Sequence, residues 1–174
     1  MRILMKSLRR LAPLVLAATL AAALPATADA ARSRLWATVN ICDTAAYPDM
    51  MGVRASMPGN GTRQRMYMRF RVQWYSRAKK RWSNLDDARS GWIYAGSALY
   101  RSRQAGWTFP FDSPAPSTFL VRGVVDFAWR KKKKREGRGA VLVTVKDTRR
   151  VTSRNHPADG ADPPGYSERA CEIF

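Results

Sequence analysis

The stretch MYMRFRVQWY, residues 66–75, decides the fold class because it alternates apolar and polar side chains without a break. A strand would place five apolar side chains on one face: Met66, Met68, Phe70, Val72 and Trp74. Its other face would carry Tyr67, Arg69, Arg71, Gln73 and Tyr75. A helix, at about 100° per residue, would scatter the apolar set around its axis. The alternation therefore predicts a half-buried strand whose arginine-bearing face meets solvent.

A second long stretch predicts a β-hairpin later in the chain. Residues 118–130 alternate in the same way, and the valines of residues 141–145 predict the returning strand. We place the hairpin tip at Lys131–Gly139, where a run of charges replaces the alternation.

Shorter segments complete the set of predicted strands. They are residues 35–42, 51–57, 91–96, 106–111 and 167–173. Pro110 lacks a backbone N–H and therefore predicts an edge position for its strand. Segments 43–50 and 85–90 are predicted loops. Seven or eight short strands separated by turn signals are typical of an all-β sandwich or barrel.

The first thirty residues have the layout of an export signal. A basic beginning is followed by an uncharged run at 11–24 and then by small residues. These are the parts of a cleavable signal peptide, with the cut predicted after Ala30, or alternatively after Ala28. The uncharged run is too short to span a membrane comfortably, although an N-terminal anchor is the alternative. We therefore predict a signal-peptide helix at 1–30, followed by one secreted β-sandwich domain at 31–174.

Cys42 and Cys171 are the only cysteines, and both lie in the predicted exported part. Disulfides persist in oxidising extracellular environments. A bond between them would join residues 129 positions apart in the chain. In the loop-entropy model, closing a loop of this length stabilises a fold by about 4–5 kcal/mol. Two thiols without neighbouring histidines make a poor metal site. We therefore predict a structural disulfide, and neither a metal nor a cofactor.

The chain is strongly basic. Its formal net charge is +18, from 31 basic and 13 acidic residues. The predicted signal holds four of the basic residues and one acidic residue, which leaves +15 on residues 31–174. Such a charge favours association with polyanions and opposes self-association, so we expect a monomer. Outside a cell the polyanions would be wall polymers, phospholipid surfaces or released nucleic acid.

Two basic clusters are candidate polyanion-binding sites. The first consists of Lys131, Lys132, Lys133, Lys134 and Arg135. The second consists of Lys79, Lys80 and Arg81. Adjacent like charges repel one another and attract anions, with an affinity that falls steeply in salt. If the strands alternate in direction, the two clusters lie at opposite ends of the sandwich and do not form one patch. The alternative interpretation is that both are solvated loops.

No catalytic constellation is visible in the sequence. The sole histidine, His156, lies in a Pro- and Gly-rich segment that predicts an exposed loop. Asp86 and Asp87 are adjacent loop residues that would point apart. Asp159 and Asp162 lack the ligand pattern of a calcium loop. We therefore predict no catalytic residues.

Three sequence segments carry a resemblance. They are ICDT at 41–44, RMYMRFRVQ at 65–73 and ADPPGYS at 161–167. With them the chain resembles a group of uncharacterised small secreted actinobacterial proteins. The long strand at 65–75, a return with Trp82 and Leu85, a strand with Gly91 and Trp92, and the long hairpin after them resemble immunoglobulin-like or fibronectin type III-like sandwiches. The resemblance implies an immunoglobulin-like β-sandwich of about seven or eight antiparallel strands, and export, but no activity. The chain departs from antibody domains, whose disulfide joins two central strands rather than the two ends.

Together these observations predict a secreted, non-enzymatic binding module. Its expected partner is an anionic cell-envelope polymer or another extracellular protein. Two alternatives stay open: a secreted enzyme inhibitor or enzyme, and a protein that binds extracellular nucleic acid. We expect no transmembrane segment in the mature chain.

Overall fold

The computed structural model describes residues 35–112, 118–135 and 139–174, without the side chain of Arg135. It contains nine strands: β1 (Trp36–Thr44), β2 (Tyr47–Pro58), β3 (Arg65–Ser76), β4 (Arg81–Arg89), β5 (Ile93–Ser97), β6 (Ser102–Pro110), β7 (Phe119–Arg135), β8 (Gly139–Val151) and β9 (Cys171–Ile173). Within these ranges no helix has the length and apolarity needed to cross a membrane. The predicted signal peptide, residues 1–30, lies outside the described residues.

The strands form two antiparallel sheets that enclose one apolar core. The first sheet has the order β1-β2-β6. The second has the order β4-β3-β7-β8, with β5 also paired to β3 and β9 to β7. The prediction of an all-β sandwich of antiparallel strands is confirmed, with nine strands instead of seven or eight. β6 lies at the edge of its sheet, as Pro110 predicted.

The strand β3 lies inside the second sheet and has the predicted faces. Four of its five apolar side chains are fully buried: Met66, Met68, Phe70 and Val72. The prediction is wrong for Trp74, which is 38% exposed. Trp74 lies towards the end of β3, where it lines a cavity of about 320 Å³ with Phe111 and Phe119 instead of entering the packed core.

The segment at 43–50, predicted to be a loop, is a tight hairpin. β1 continues to Thr44 and β2 begins at Tyr47. Asp43 adopts a φ of 41°, a left-handed conformation that aspartate tolerates better than most residues. Its carboxylate accepts a hydrogen bond from the Asp49 N–H at 2.8 Å. This local side-chain contact closes the turn, and a loop prediction based on Pro48 missed it.

Two further predictions are corrected by strand pairing. The segment at 85–90 belongs largely to β4, which runs to Arg89 with an irregular register opposite β3. The basic run Lys131–Arg135 is the last part of β7 and not a hairpin tip. Its residues pair one by one with Gly139–Val143 of β8. The apolar strand β8 hydrogen-bonds to this basic run along its length. The charge pattern of the run alone does not reveal that pairing.

The strand β1 is buried on both faces from Trp36 to Ile41. The C-terminal segment lies along it: the backbone groups of Val39 and Glu168 exchange two hydrogen bonds, of 2.8 and 3.0 Å. On the outer face, the Thr38 hydroxyl lies 2.8 Å from that of Ser167. Trp36 stacks on the ring of His156 with centroids 5.0 Å apart. The C-terminal segment therefore buries the outer face of β1, while the core buries the other face.

The predicted disulfide is present. Cys42 of β1 and Cys171 of β9 are bonded, with their Cα atoms 5.4 Å apart. β1 belongs to the first sheet and β9 pairs with β7 of the second, so the bond joins the two sheets. It also fixes the C-terminal segment at the end where that segment leaves β1.

We expect the pair of substitutions Cys42→Ser and Cys171→Ser to lower the free energy of unfolding by about 4 kcal/mol. Without the bond, the unfolded chain has more conformational entropy, which favours the unfolded state. Urea denaturation of the purified protein, followed by tryptophan fluorescence, measures the change. The reduced wild-type protein serves as the control and should lose a similar amount. A loss below about 1 kcal/mol in both would contradict a stabilising role for the bond.

Candidate anion-binding site

The structure places the two predicted basic clusters at opposite ends of the second sheet. β3 and β7 are antiparallel, with Arg65 opposite Arg130 and Trp74 opposite Val121. Lys79 and Lys80 therefore follow the Val121 end of this pair, whereas the run that begins at Lys131 follows the Arg130 end. The prediction that the clusters do not form one patch is confirmed.

The Lys131 cluster is joined by cations that the sequence analysis did not single out. A cleft of about 530 Å³ is lined by Arg63, Gln64, Arg65, Arg130, Lys131 and Lys132. Five of these six residues are cationic and none is acidic. In the described part of the chain, none of the five forms an ion pair. We call this group the cationic cleft.

The pairing of β3 with β7 forces like charges together in the cationic cleft. Arg65 and Arg130 occupy directly opposite positions on the two strands. Opposite positions bring Cβ atoms within about 5 Å, where like charges destabilise a sheet. A bound anion would remove that cost, because it would neutralise both guanidinium groups at once.

Aromatic rings hold these arginines in place. The guanidinium carbon of Arg130 lies 4.3 Å from the ring centroid of Trp92 and 4.8 Å from that of Tyr67. The same atom of Arg65 lies 5.8 Å from the Tyr94 ring. Such contacts stabilise a cation and orient its planar fork. The Nε–H of Arg130 is buried and donates no hydrogen bond to the described residues. The two rings thus position the arginine, and its buried Nε–H is left unpaired among the described residues.

Next to the cleft, one carboxylate organises three more arginines. Asp126 accepts hydrogen bonds from Arg69 at 3.0 and 3.2 Å, from Arg71 at 3.0 and 3.1 Å, and from Arg149 at 2.6 Å. The Asp126 side chain is only 10% exposed. Burial alone would raise its pKa, but the hydrogen bonds from Arg149, Arg71 and Arg69 outweigh burial and hold the pKa below its usual range. This cluster keeps an excess of positive charge.

Sequence reasoning predicted an arginine face on β3 but not the site that it helps to form. The signal was present in β7, where Arg122, Asp126 and Arg130 recur every four positions and so share one face of a strand. Which β3 residue meets each of them depends on the register between strands 50 to 65 positions apart. No local pattern fixes that register, so Arg65 and Arg130 could not be paired from the sequence.

The sole histidine contacts a serine, an arrangement that sequence reasoning missed. The Ser153 hydroxyl lies 2.8 Å from Nε2 of His156. Burial lowers the His156 pKa. Among the described residues no carboxylate accepts a hydrogen bond from the other ring nitrogen, so the third group of a catalytic triad is missing there. The His156 backbone N–H donates to Ser167 at 2.8 Å, and the histidine helps to hold the C-terminal segment on β1.

The described ranges contain no group of three or more His, Cys, Asp or Glu side chains that could hold a metal ion. In comparisons with known proteins, no family, no curated protein and no solved structure matches the chain.

We expect Asp126→Asn to lower the free energy of unfolding by about 2 kcal/mol at pH 7, because three arginines would lose their shared counter-charge. The folded pKa of Asp126 lies below its unfolded value, which is about 4. Its contribution is therefore complete above that value and is lost as the pH falls through the folded pKa. Denaturation of both proteins between pH 7 and pH 2 measures the difference.

The matched control for this prediction is Asp147→Asn. Asp147 is exposed on the neighbouring strand and forms no ion pair with the described residues. It should change stability by less than about 0.5 kcal/mol. A stability gap between wild type and Asp126→Asn that stays constant from pH 7 to pH 2 would contradict the assigned role.

Proposed function

We propose that the chain is a secreted, non-enzymatic module that binds an anionic polymer of the cell envelope. One observation carries the proposal: Arg65 and Arg130 meet across β3 and β7 in a cleft lined by cations and no acid. Guanidinium groups bind phosphate, sulfate and carboxylate oxygens in bidentate geometry. None of these five cations has an acidic partner among the described residues, and four of them, all except Arg130, are exposed to solvent, where an anion can reach them.

A polymer fits better than a small anion because the cations continue beyond the cleft. Lys132 and Lys134 follow Arg130 on the same face of β7, and Lys131 and Lys133 lie on the other face. All four lysines are exposed. Side chains two positions apart on a strand are separated by about 7 Å. The strand thus presents a regular row of cations, which matches a ligand that repeats its charge.

Secretion is supported by the three-part signal pattern at 1–30 and by a disulfide that suits an oxidising environment. A non-enzymatic role is supported by how the polar clusters are used. Ser153 and His156 hold the C-terminal segment, and Asp126 binds three arginines. Each of these polar groups therefore has a structural partner in the described part of the chain.

We also infer that the sandwich is immunoglobulin-like, of the fibronectin type III kind. The order β1-β2-β6 matches strands A-B-E of such domains, and β4-β3-β7-β8 matches C′-C-F-G. Strands β5 and β9 and the terminal disulfide would then be additions to that plan. This assignment places the cationic cleft where strand C begins and strand F ends.

We expect the pair Arg65→Gln and Arg130→Gln to weaken binding to linear polyphosphate by about tenfold or more, since two charge-assisted contacts are lost. The slope of log affinity against log salt should also become shallower, because fewer counterions are released. Titration at several salt concentrations measures both. Co-sedimentation with an envelope fraction of the producing cells should show the same loss.

The matched control is the pair Lys79→Gln and Lys80→Gln, which removes the same charge from the opposite end of the sheet. It should bind nearly as well as the wild type. Equal weakening by the two pairs would show a diffuse charge effect and contradict the cleft. Tighter binding to single-stranded DNA than to polyphosphate of equal charge would favour the nucleic-acid alternative.

A further inference from the structure

The strand β8 is the outer edge of the second sheet. It pairs with β7 along Gly139–Val151. In the described ranges no other strand pairs with β8, so the backbone groups along its second side lie open. Open strand edges accept further strands, and most proteins protect them with charges, prolines or short length.

The first half of β8 lacks this protection. Between Gly139 and Val145 it has no charged residue and no proline. Leu142 is 41% exposed, Val143 is 37% exposed and Val145 is 47% exposed. Because neighbouring positions point to opposite faces, apolar side chains are exposed on both sides of the sheet. We call this half, residues 139–145, the open edge.

The charge next to the open edge is strongly positive. Lys131, Lys132, Lys133 and Lys134 of β7 pair with Val143, Leu142, Val141 and Ala140 in that order. The lysines are exposed and alternate between the two faces. None of them forms an ion pair within the described part of the chain. A strand added to β8 would lie two strand spacings, about 10 Å, from β7. Lysine and glutamate side chains together bridge that distance.

We propose that the open edge binds an extended segment of a partner protein in which apolar and acidic residues alternate or adjoin. Backbone hydrogen bonds to β8 would supply affinity, as in other cases of strand addition. Apolar partner side chains would cover Leu142, Val143 and Val145, and acidic ones would meet the lysines of β7. This partner site shares the lysines of β7 with the proposed row of polymer-binding cations, but it does not use the contacts of Arg65 and Arg130.

A second copy of the chain fits the open edge less well than an acidic segment. Pairing two copies through β8 would bring the lysine runs at 131–134 of both copies within three strand spacings, about 14 Å. The net charge of +15 on residues 31–174 opposes the approach further. Charge complementarity therefore selects an acidic partner.

The test uses a capped eight-residue peptide that alternates valine and glutamate. The expected result is binding to the full chain with at least tenfold slower hydrogen exchange of backbone amides within 139–145. A capped peptide that alternates valine and lysine should not bind. Amides of β2, which lies inside the other sheet, serve as the internal reference.

The variant carrying Leu142→Gln and Val143→Gln removes apolar contacts on both exposed faces of the open edge without changing its charge. It should bind the valine–glutamate peptide at least tenfold more weakly while retaining polyphosphate binding, which separates this proposal from the polymer site. Exchange of the β2 amides reports whether the variant stays folded; if it does not, the single variant Val145→Gln replaces it.

Three results would overturn the proposal. The peptide could bind without slowing exchange at 139–145, which would mean charge attraction alone. The valine–lysine peptide could bind equally well, which would remove the acidic requirement. Protection of 139–145 could also rise with protein concentration in the absence of peptide, which would identify a second copy as the occupant.

Discussion

The pairing of β3 with β7 is the constraint on which the rest of the structure depends. Ten consecutive residue pairs link the strands, from Arg65 opposite Arg130 to Trp74 opposite Val121. In this register Met66, Met68, Phe70 and Val72 of β3 point into the core together with four side chains of β7: Val121, Val125, Phe127 and Trp129. A slip of one residue would turn every side chain to the other face. It would also separate Asp126 from Arg69, its directly opposite partner. Core packing and ion pairing therefore select the same register.

The arginine face follows from that register. Once the apolar side chains are buried, the intervening arginines and tyrosines must share the outer face. The cations on that face fall into two groups. Around Asp126, three arginines are partly neutralised. At the Arg130 end, aromatic rings hold the guanidinium groups but no described acid neutralises them. The arginines around Asp126 have an acidic partner, whereas the cations of the cleft have none among the described residues. This difference distinguishes the cleft from a surface that is merely basic.

Local sequence patterns predicted the features that depend on local geometry. The alternation at 66–75 gave the correct faces of β3 except at Trp74, and Pro110 predicted the edge position of β6. The cysteines were paired correctly because only two exist. Contacts between distant segments were not predictable. The residues that bury the outer face of β1 lie more than 100 positions away, and the strand at Lys131–Arg135 depends on β8. The cationic cleft could not be predicted either, because Arg65 and Arg130 lie opposite each other only in the observed register of β3 and β7.

We propose that this register creates a specific anion site and not only a positive surface. The most direct test is a titration with linear polyphosphate followed by NMR of the arginine Nε–H resonances. We expect the Arg65 and Arg130 resonances to shift first and saturate together, while that of Arg81 at the opposite end of the sheet moves later and less. Shifts of equal size and midpoint at all exposed arginines would contradict it.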